Sequence, residues 1–133
     1  VDAVVFTRRG GQREVLLIKR GNPPFQGMWA LPGGFVEMDE DLPTAAAREL
    51  EEEAGVRDID LVQFHAFGRV DRDPRARTIS IAYYGVTDWN DHRPKADSDA
   101  ADVLWFPVAD LPELAYDHAE IVAMALARVE DQE

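Results

Sequence analysis

Apolar and polar positions sort this chain into short extended runs and two longer periodic stretches. Residues 2–7 and 14–20 are dominated by Val, Leu, Ile and Phe, the composition of strands buried on both faces. Between them residues 8–12 carry two glycines and predict a turn. Asn22-Pro23-Pro24 cannot continue a ladder, so residues 21–25 are expected as a loop, with a short strand at 29–31. Further strands are predicted at 61–70, 78–86 and 103–107. Residues 118–129 read as a helix, because Ile121, Val122, Ala125, Leu126 and Val129 recur on one stripe. Strands with one helix in the middle and one at the end predict an α/β architecture, a mixed sheet covered on both faces. No repeat or linker divides the sequence, and 133 residues form one domain with a single core.

The middle helix carries the chemistry. Pro43 suits a first helical turn, where its missing N–H is no loss. Ala45-Ala46-Ala47 and the Arg, Glu and Leu that follow are strong helix formers. Gly55 sits where a left-handed cap would end the run. Ala46 or Ala47, Leu50 and Ala54 make an apolar stripe for the core. Glu49, Glu52 and Glu53 fall together on the other side, one turn apart.

Three carboxylates on one turn repel one another, at roughly 3 kcal/mol per pair for ~5 Å and an effective dielectric of ~20. Acids near a helix C-terminus also oppose the macrodipole. A hard divalent cation with oxygen ligands, magnesium or manganese, would remove the conflict while leaving room for substrate phosphates. The competing reading is a solvated acidic helix face.

The spacing decides between them. From Gly34 the chain runs five residues to Glu40, seven more to Arg48, and then Arg48-Glu49-Leu50-Glu51-Glu52-Glu53-Ala54-Gly55-Val56. This resembles the signature of the Nudix hydrolases, G-x5-E-x7-R-E-U-x-E-E-x-G-U with U aliphatic, at every position from 34 to 56. The resemblance implies an α/β/α sandwich with a mixed central sheet, in a single Nudix hydrolase domain over residues 1–133. It also implies a magnesium-dependent site, manganese being the alternative, with Glu49, Glu52, Glu53, Glu40 and Gly34 at or around the metal. Arg48 is expected to orient a carboxylate by charge-assisted hydrogen bonds. Gly33 and Gly34 would let the backbone approach the ion closely; an ordinary turn after Pro32 explains these glycines equally well.

Composition agrees with a small enzyme. No apolar run is long enough to span a membrane and no signal peptide is recognisable. With no cysteine, disulfides and thiolate zinc sites are excluded and a cytoplasmic setting is the default. A formal net charge of −12 argues against nucleic-acid binding, which needs a basic face. An anionic phosphate substrate would also be repelled overall, so a metal and local arginines must reverse the field at the site. The sequence opens at Val1 within a predicted strand, which suggests that a few residues precede it.

Substrate choice must come from outside residues 34–56. Three segments are similar to the ADP-ribose pyrophosphatase-like branch of the family and its ADP-ribose-sensing regulators: residues 22–34, residues 72–84 with Arg72-Asp73-Pro74-Arg75, and residues 117–121. The resemblance implies a small-molecule nucleotide diphosphate substrate, ADP-ribose giving AMP and ribose 5-phosphate, and a homodimer. Phe25 and Trp29 are aromatic surfaces available to stack a base, with a core position for Trp29 as the other choice. Arg69, Arg72, Arg75 and Arg77 concentrate positive charge in one segment, and Arg forks bind phosphate bidentately. Salt bridges to Asp71, Asp73 and the acidic loop are the competing assignment for each of these arginines. Asp117 is expected to cap the last helix, with His118 and Glu120 as lesser candidates for a direct role. Of Tyr83 and Tyr84, alternation sends one into the core and the other toward the cleft. The base that activates water is left among Glu49, Glu52 and the acids of residues 88–102. Two other functions stay open, a Nudix hydrolase of another nucleotide (a nucleoside triphosphate or a nucleotide sugar) and a non-catalytic ADP-ribose sensor. The second is expected less, since the residues of 34–56 are complete and only Gln132 and Glu133 follow the last helix.

Overall fold

The fold is taken from a computed structural model that describes residues 1–88 and 100–132. Strands β1 (Asp2–Arg9) and β2 (Gln12–Arg20) form a hairpin, then come β3 (Trp29–Ala30), helix α1 (Leu42–Ala54), β4 (Val62–Phe67), β5 (Ser80–Val86), β6 (Ala100–Pro107) and helix α2 (His118–Asp131). Gly10 and Gly11 close the hairpin at φ 59° and 81°, a two-residue turn that favours glycine. The six strands share one sheet in the order β3-β2-β1-β5-β4, with β6 along the other side of β2. β1 and β5 run parallel and the remaining pairs antiparallel, so the sheet is mixed.

Alternation along the central strands separates two cores. Val4, Phe6, Val15 and Leu17 pack with Ile121, Val122 and Ala125 of α2. Val5, Leu16 and Ile18 face the opposite way, onto Leu50 and Ala54 of α1. Because both faces are covered, β1 and β2 lack the polar alternation of a one-sided sheet. The α/β/α sandwich expected from the sequence is the observed architecture. Among the described residues no helix is long and apolar enough to cross a membrane.

One irregularity positions the site. β1 and β2 pair only from Phe6↔Val15 to Arg9↔Gln12 and then part. The segment 29–34 enters the gap: Trp29 and Ala30 pair with Lys19 and Ile18, Ala3 N–H donates to Pro32 O at 2.9 Å, and Gly34 N–H to Val1 O at 3.0 Å. The two glycines after Pro32 are thereby held inside the sheet.

Several boundaries differ from expectation. β4 stops at Phe67 and β5 starts at Ser80, because the arginine-rich stretch between them forms turns instead of extending the ladder. β6 starts at Ala100, where it pairs with Arg20; Ala-Ala-Asp read as loop in the sequence, but a full-length partner strand overrides weak propensity. Tyr83 and Tyr84 are both buried, since each face of the sheet has its own core, and neither reaches a cleft.

Candidate active site

Helix α1 ends as its sequence dictates, with Gly55 at φ 69° and its N–H on Glu51 O. Its apolar side buries Ala45, Ala46, Leu50 and Ala54 and turns Glu49, Glu52 and Glu53 toward a cavity of about 640 Å³. Gly33 and Gly34 line the same cavity. A Cβ at Gly33 would stand 2.4 Å from the Val1 carbonyl oxygen, so that position needs glycine for space, whereas one at Gly34 would stand 2.5 Å from the Glu49 carboxylate and would push that side chain aside. The room Gly34 leaves is taken by a carboxylate.

Arg48 organises the acids. Its Nε and Nη2 donate to Glu40 at 2.9 and 2.6 Å, its Nη1 to Glu49 at 2.8 Å and Glu52 at 3.1 Å, and Nη2 also to Phe35 O at 3.1 Å. One guanidinium thus relieves part of the repulsion that the sequence left to a metal. Among the described residues no three His, Cys, Asp or Glu side chains are gathered into a ready-made metal cage. Glu40 is turned to Arg48 and does not line the cavity, and the Arg48 bonds hold its carboxyl at about 2. The Gly34 carbonyl accepts from the Val1 nitrogen at 2.9 Å.

The three cavity glutamates differ in environment. Glu53 is the most enclosed and accepts the Gly33 N–H at 2.7 Å. Burial, less that bond, raises its pKa to about 7, with Glu49 and Asp2 adding to the rise. Glu49 is raised by burial too, against the pull of Arg48. Glu52 is 48% exposed and gives one oxygen to Arg48. An oxygen-only donor set of this kind, in a chain without cysteine, fits a hard divalent ion that keeps some of its waters.

The Glu53 environment yields a testable sign. Its carboxyl holds a proton in the fold up to about pH 7 but loses it near 4.5 when unfolded. Its contribution to metal-free stability is therefore full below about pH 4.5 and is lost as pH rises through about 7. A divalent ion bound among these glutamates would replace that proton. Thermal melts should show magnesium raising Tm more at pH 8 than at pH 6, and Glu53→Gln should flatten the difference. Equal gains at both pH values in the wild type would overturn this account.

The arginine-rich turn adds Arg72, Asp73 and Arg75 to the cavity lining, and most of its charges are matched. Arg72 grips Asp117 with two bonds of 2.9 and 2.6 Å, while Arg75 grips Asp73 at 3.1 and 2.8 Å and holds that carboxyl at about 2. Asp117 makes no side-chain cap on α2, in contrast to expectation, because Arg72 occupies both of its oxygens. Arg72 and Arg75 line the cavity. Arg77 does not, and donates to Arg69 O at 3.2 Å. Arg69 pairs with Glu120 at the surface.

The aromatic assignments change. Trp29 lies edge-on to Phe106 with centroids 4.7 Å apart and packs on the α2-side core. Phe25 lines a smaller cavity of about 310 Å³ beside Arg69 and Tyr116. Tyr116 and Phe35 instead line the main cavity, and the sequence reading singled out neither. His118 is buried there, with Nδ1 accepting the Leu31 N–H at 3.0 Å. That bond leaves the ring proton on Nε2, 3.5 Å from Asp2, and burial depresses its pKa. His118 ties the 29–34 segment to α2.

Arg20 was also missed. The β2–β6 register shifts between Lys19 and Arg20, the kind of bulge that re-aims a side chain. Its Nε donates to Pro24 O at 2.7 Å and its guanidinium sits 5.2 Å from the Tyr116 centroid. Among the described residues, Arg20 is the cavity-lining arginine without a carboxylate in hydrogen-bond contact. Of the acids named as possible bases, Asp88 and Asp102 do not line the cavity, and Asp91, Asp97 and Asp99 lie outside the described residues.

Known proteins are similar to this chain. The ADP-ribose pyrophosphatase of Methanocaldococcus jannaschii is 41% identical over 109 residues, 82% of this chain and 63% of that protein. The ADPR responsive transcriptional repressor NtrR of Acinetobacter baylyi is 32% identical over 135 residues, 99% of this chain and 54% of the repressor. The chain thus spans about half to two thirds of the length of these curated relatives. Among solved structures, the NUDIX domain of Shewanella oneidensis NrtR complexed with ADP ribose superposes with a TM-score of 0.89 at 34% identity, covering 96% of this chain and 85% of that one. The NUDIX domain family model matches residues 1–125, and with the glutamate helix, the paired glycines and the sandwich all in place, the chain belongs to the NUDIX domain family.

Proposed function

We propose that the protein is a divalent-metal-dependent hydrolase that splits ADP-ribose into AMP and ribose 5-phosphate. The observation that carries this reading is the lining of the cavity, which brings three glutamates and Arg20, an arginine with no carboxylate in hydrogen-bond contact among the described residues, onto one space. A diphosphate has the charge to engage both a metal held by the glutamates and the Arg20 guanidinium. The similarity to an ADP-ribose pyrophosphatase and to an ADP ribose-bound NUDIX domain supports the substrate.

Glu49, Glu52 and Glu53 would hold the ion. Bound there, magnesium or manganese supplies charge neutralisation and a water of lowered pKa. The chain does the rest. Arg48 fixes Glu49 and Glu52, Gly34 leaves space for the Glu49 carboxylate, and Arg20 takes a phosphate oxygen. Glu52 keeps one oxygen without a protein partner among the described residues and accepts the proton of the attacking water. Water oxygen bonds to one phosphorus and the bridging P–O bond breaks, so one phosphate leaves on each riboside.

The reading includes magnesium as the working ion, a homodimer and a cytoplasmic setting. A release assay with ADP-ribose, dinucleotides, nucleotide sugars and nucleoside triphosphates, each with magnesium, tests it. AMP release from ADP-ribose is the expected result, and cleavage of another of these in its place would move the assignment to that substrate. A second reading, an ADP-ribose sensor without turnover, draws on the repressor similar over 99% of the chain. Binding of ADP-ribose with no product would select it.

A further inference from the structure

Two cavities meet at Tyr116. The main cavity of about 640 Å³ and the smaller one of about 310 Å³ share Arg72 and Tyr116 in their linings. The groups in contact with the Tyr116 ring divide between them. Arg20 and Arg75 line the main cavity alone, with their guanidinium carbons 5.2 and 5.6 Å from the ring centroid. Phe25 lines the smaller cavity alone and meets the same ring edge-on, with centroids 4.7 Å apart. The bidentate bond from Arg72 to Asp117 extends this wall, since Asp117 belongs to the smaller cavity.

The ring is held where it stands. Tyr116 has φ 52°, a conformation that a bulky residue keeps only when its surroundings impose it. His118 lies 5.2 Å from it between centroids, and the next residue, Asp117, is clamped by Arg72. The Tyr116 hydroxyl is enclosed and has no hydrogen-bond partner, so the wall is built by the ring and not by its oxygen.

We infer that the Tyr116 ring is a specificity-determining partition, which ends the substrate cavity and confines the group beyond the Arg20-bound phosphate to a ribose without a base. This rests on the proposed function and gives it a source of selectivity. Arg20 touches both the ring and the space for a phosphate, so the group esterified to that phosphate comes within one sugar of Tyr116. A ribose stops short of the ring. A nucleoside there carries a base as well, and the room for that base lies behind the partition.

Steady-state kinetics with magnesium would compare ADP-ribose with the symmetric dinucleotide that joins two adenosines through the same diphosphate, two substrates that differ by one base. The wild type should favour ADP-ribose. Tyr116→Gly removes the ring and suits the positive φ; it should raise kcat/KM for the dinucleotide relative to ADP-ribose by about tenfold or more. Tyr116→Asn, which also tolerates that φ, gives the same comparison if thermal melts show the glycine variant to be unfolded. Tyr116→Phe restores the ring without the hydroxyl and should restore the preference. An unchanged ratio in a folded small variant would overturn the inference, as would a wild type that cuts the dinucleotide as readily as ADP-ribose. Loss of the preference in Tyr116→Phe would overturn it too, by giving the discrimination to the hydroxyl. A wild type that binds ADP-ribose without cleaving it would sink the proposed hydrolysis alone, and the partition would then be judged from the ratio of dissociation constants on the same variants by titration calorimetry. Binding of neither ligand would sink both.

Discussion

Glu52→Gln should lower kcat for ADP-ribose by about 10²- to 10⁴-fold, the span of a lost general base. The substitution keeps the shape of the side chain and an oxygen for Arg48, which reaches Glu52 at 3.1 Å. It removes the negative charge that would hold the ion and the lone pair that takes the proton. Because Glu52 is half exposed, the melting temperature without metal should move by only a few degrees. Steady-state AMP release and a thermal melt on the same preparation give both quantities. A kcat within fivefold of the wild type would take the role away from Glu52 and pass it to Glu49 or to an acid outside the described residues. A melt lowered by tens of degrees would mean that the loss of rate reports unfolding.

Arg72→Ala should be the most destabilising change in the substrate wall. The side chains of Arg72 and Asp117 are 4% and 10% exposed, and both Asp117 oxygens are taken by the guanidinium. Removing the cation leaves a carboxylate enclosed without its partner, a loss of about 3–5 kcal/mol. Urea unfolding at pH 7 would measure it. The double substitution Arg72→Met with Asp117→Leu should recover much of the loss, because an apolar pair of similar volume does not leave a charge stranded. A single-variant effect below about 1 kcal/mol would show that the pair is far better hydrated than its geometry indicates. The ADP-ribose KM should rise in the single variant as well, since the pair fixes the 68–79 turn against the start of α2.

The local signals in the sequence carried much of this fold. Pro43, the alanine run and Gly55 are statements about a few neighbouring residues, and α1 begins and ends beside them. β1 and β2 were readable because burial on both faces leaves an unbroken apolar run. The spacing of Glu49, Glu52 and Glu53 fixed their common side of the helix without reference to any other element. Long-range pairings were not readable. Asp117 looked like a helix cap from its own neighbourhood, yet its partner is Arg72, 45 residues away. Arg20 looked like the polar end of a strand until a bulge against β6 turned it to the cavity. Trp29 and Phe35 are both aromatic residues beside the glycines. Only the insertion of residues 29–34 between β1 and β2 decides that the first packs on the core and the second meets solvent.

That insertion has a consequence for how such a protein can change. The glycines and the parting strands are joined by backbone hydrogen bonds, and the Glu53 carboxylate fastens α1 to them through the Gly33 N–H, so the half of the cleft that would do the chemistry is anchored to the sheet. Residues 68–79, which supply another part of the lining, belong to no ladder and are fastened by side-chain ion pairs. One jaw is rigid and shared with the framework, and the other is a replaceable part. Exchanging residues 68–79 together with Asp117 should transplant a substrate preference from one relative to another while the hydrolytic jaw stays as it is.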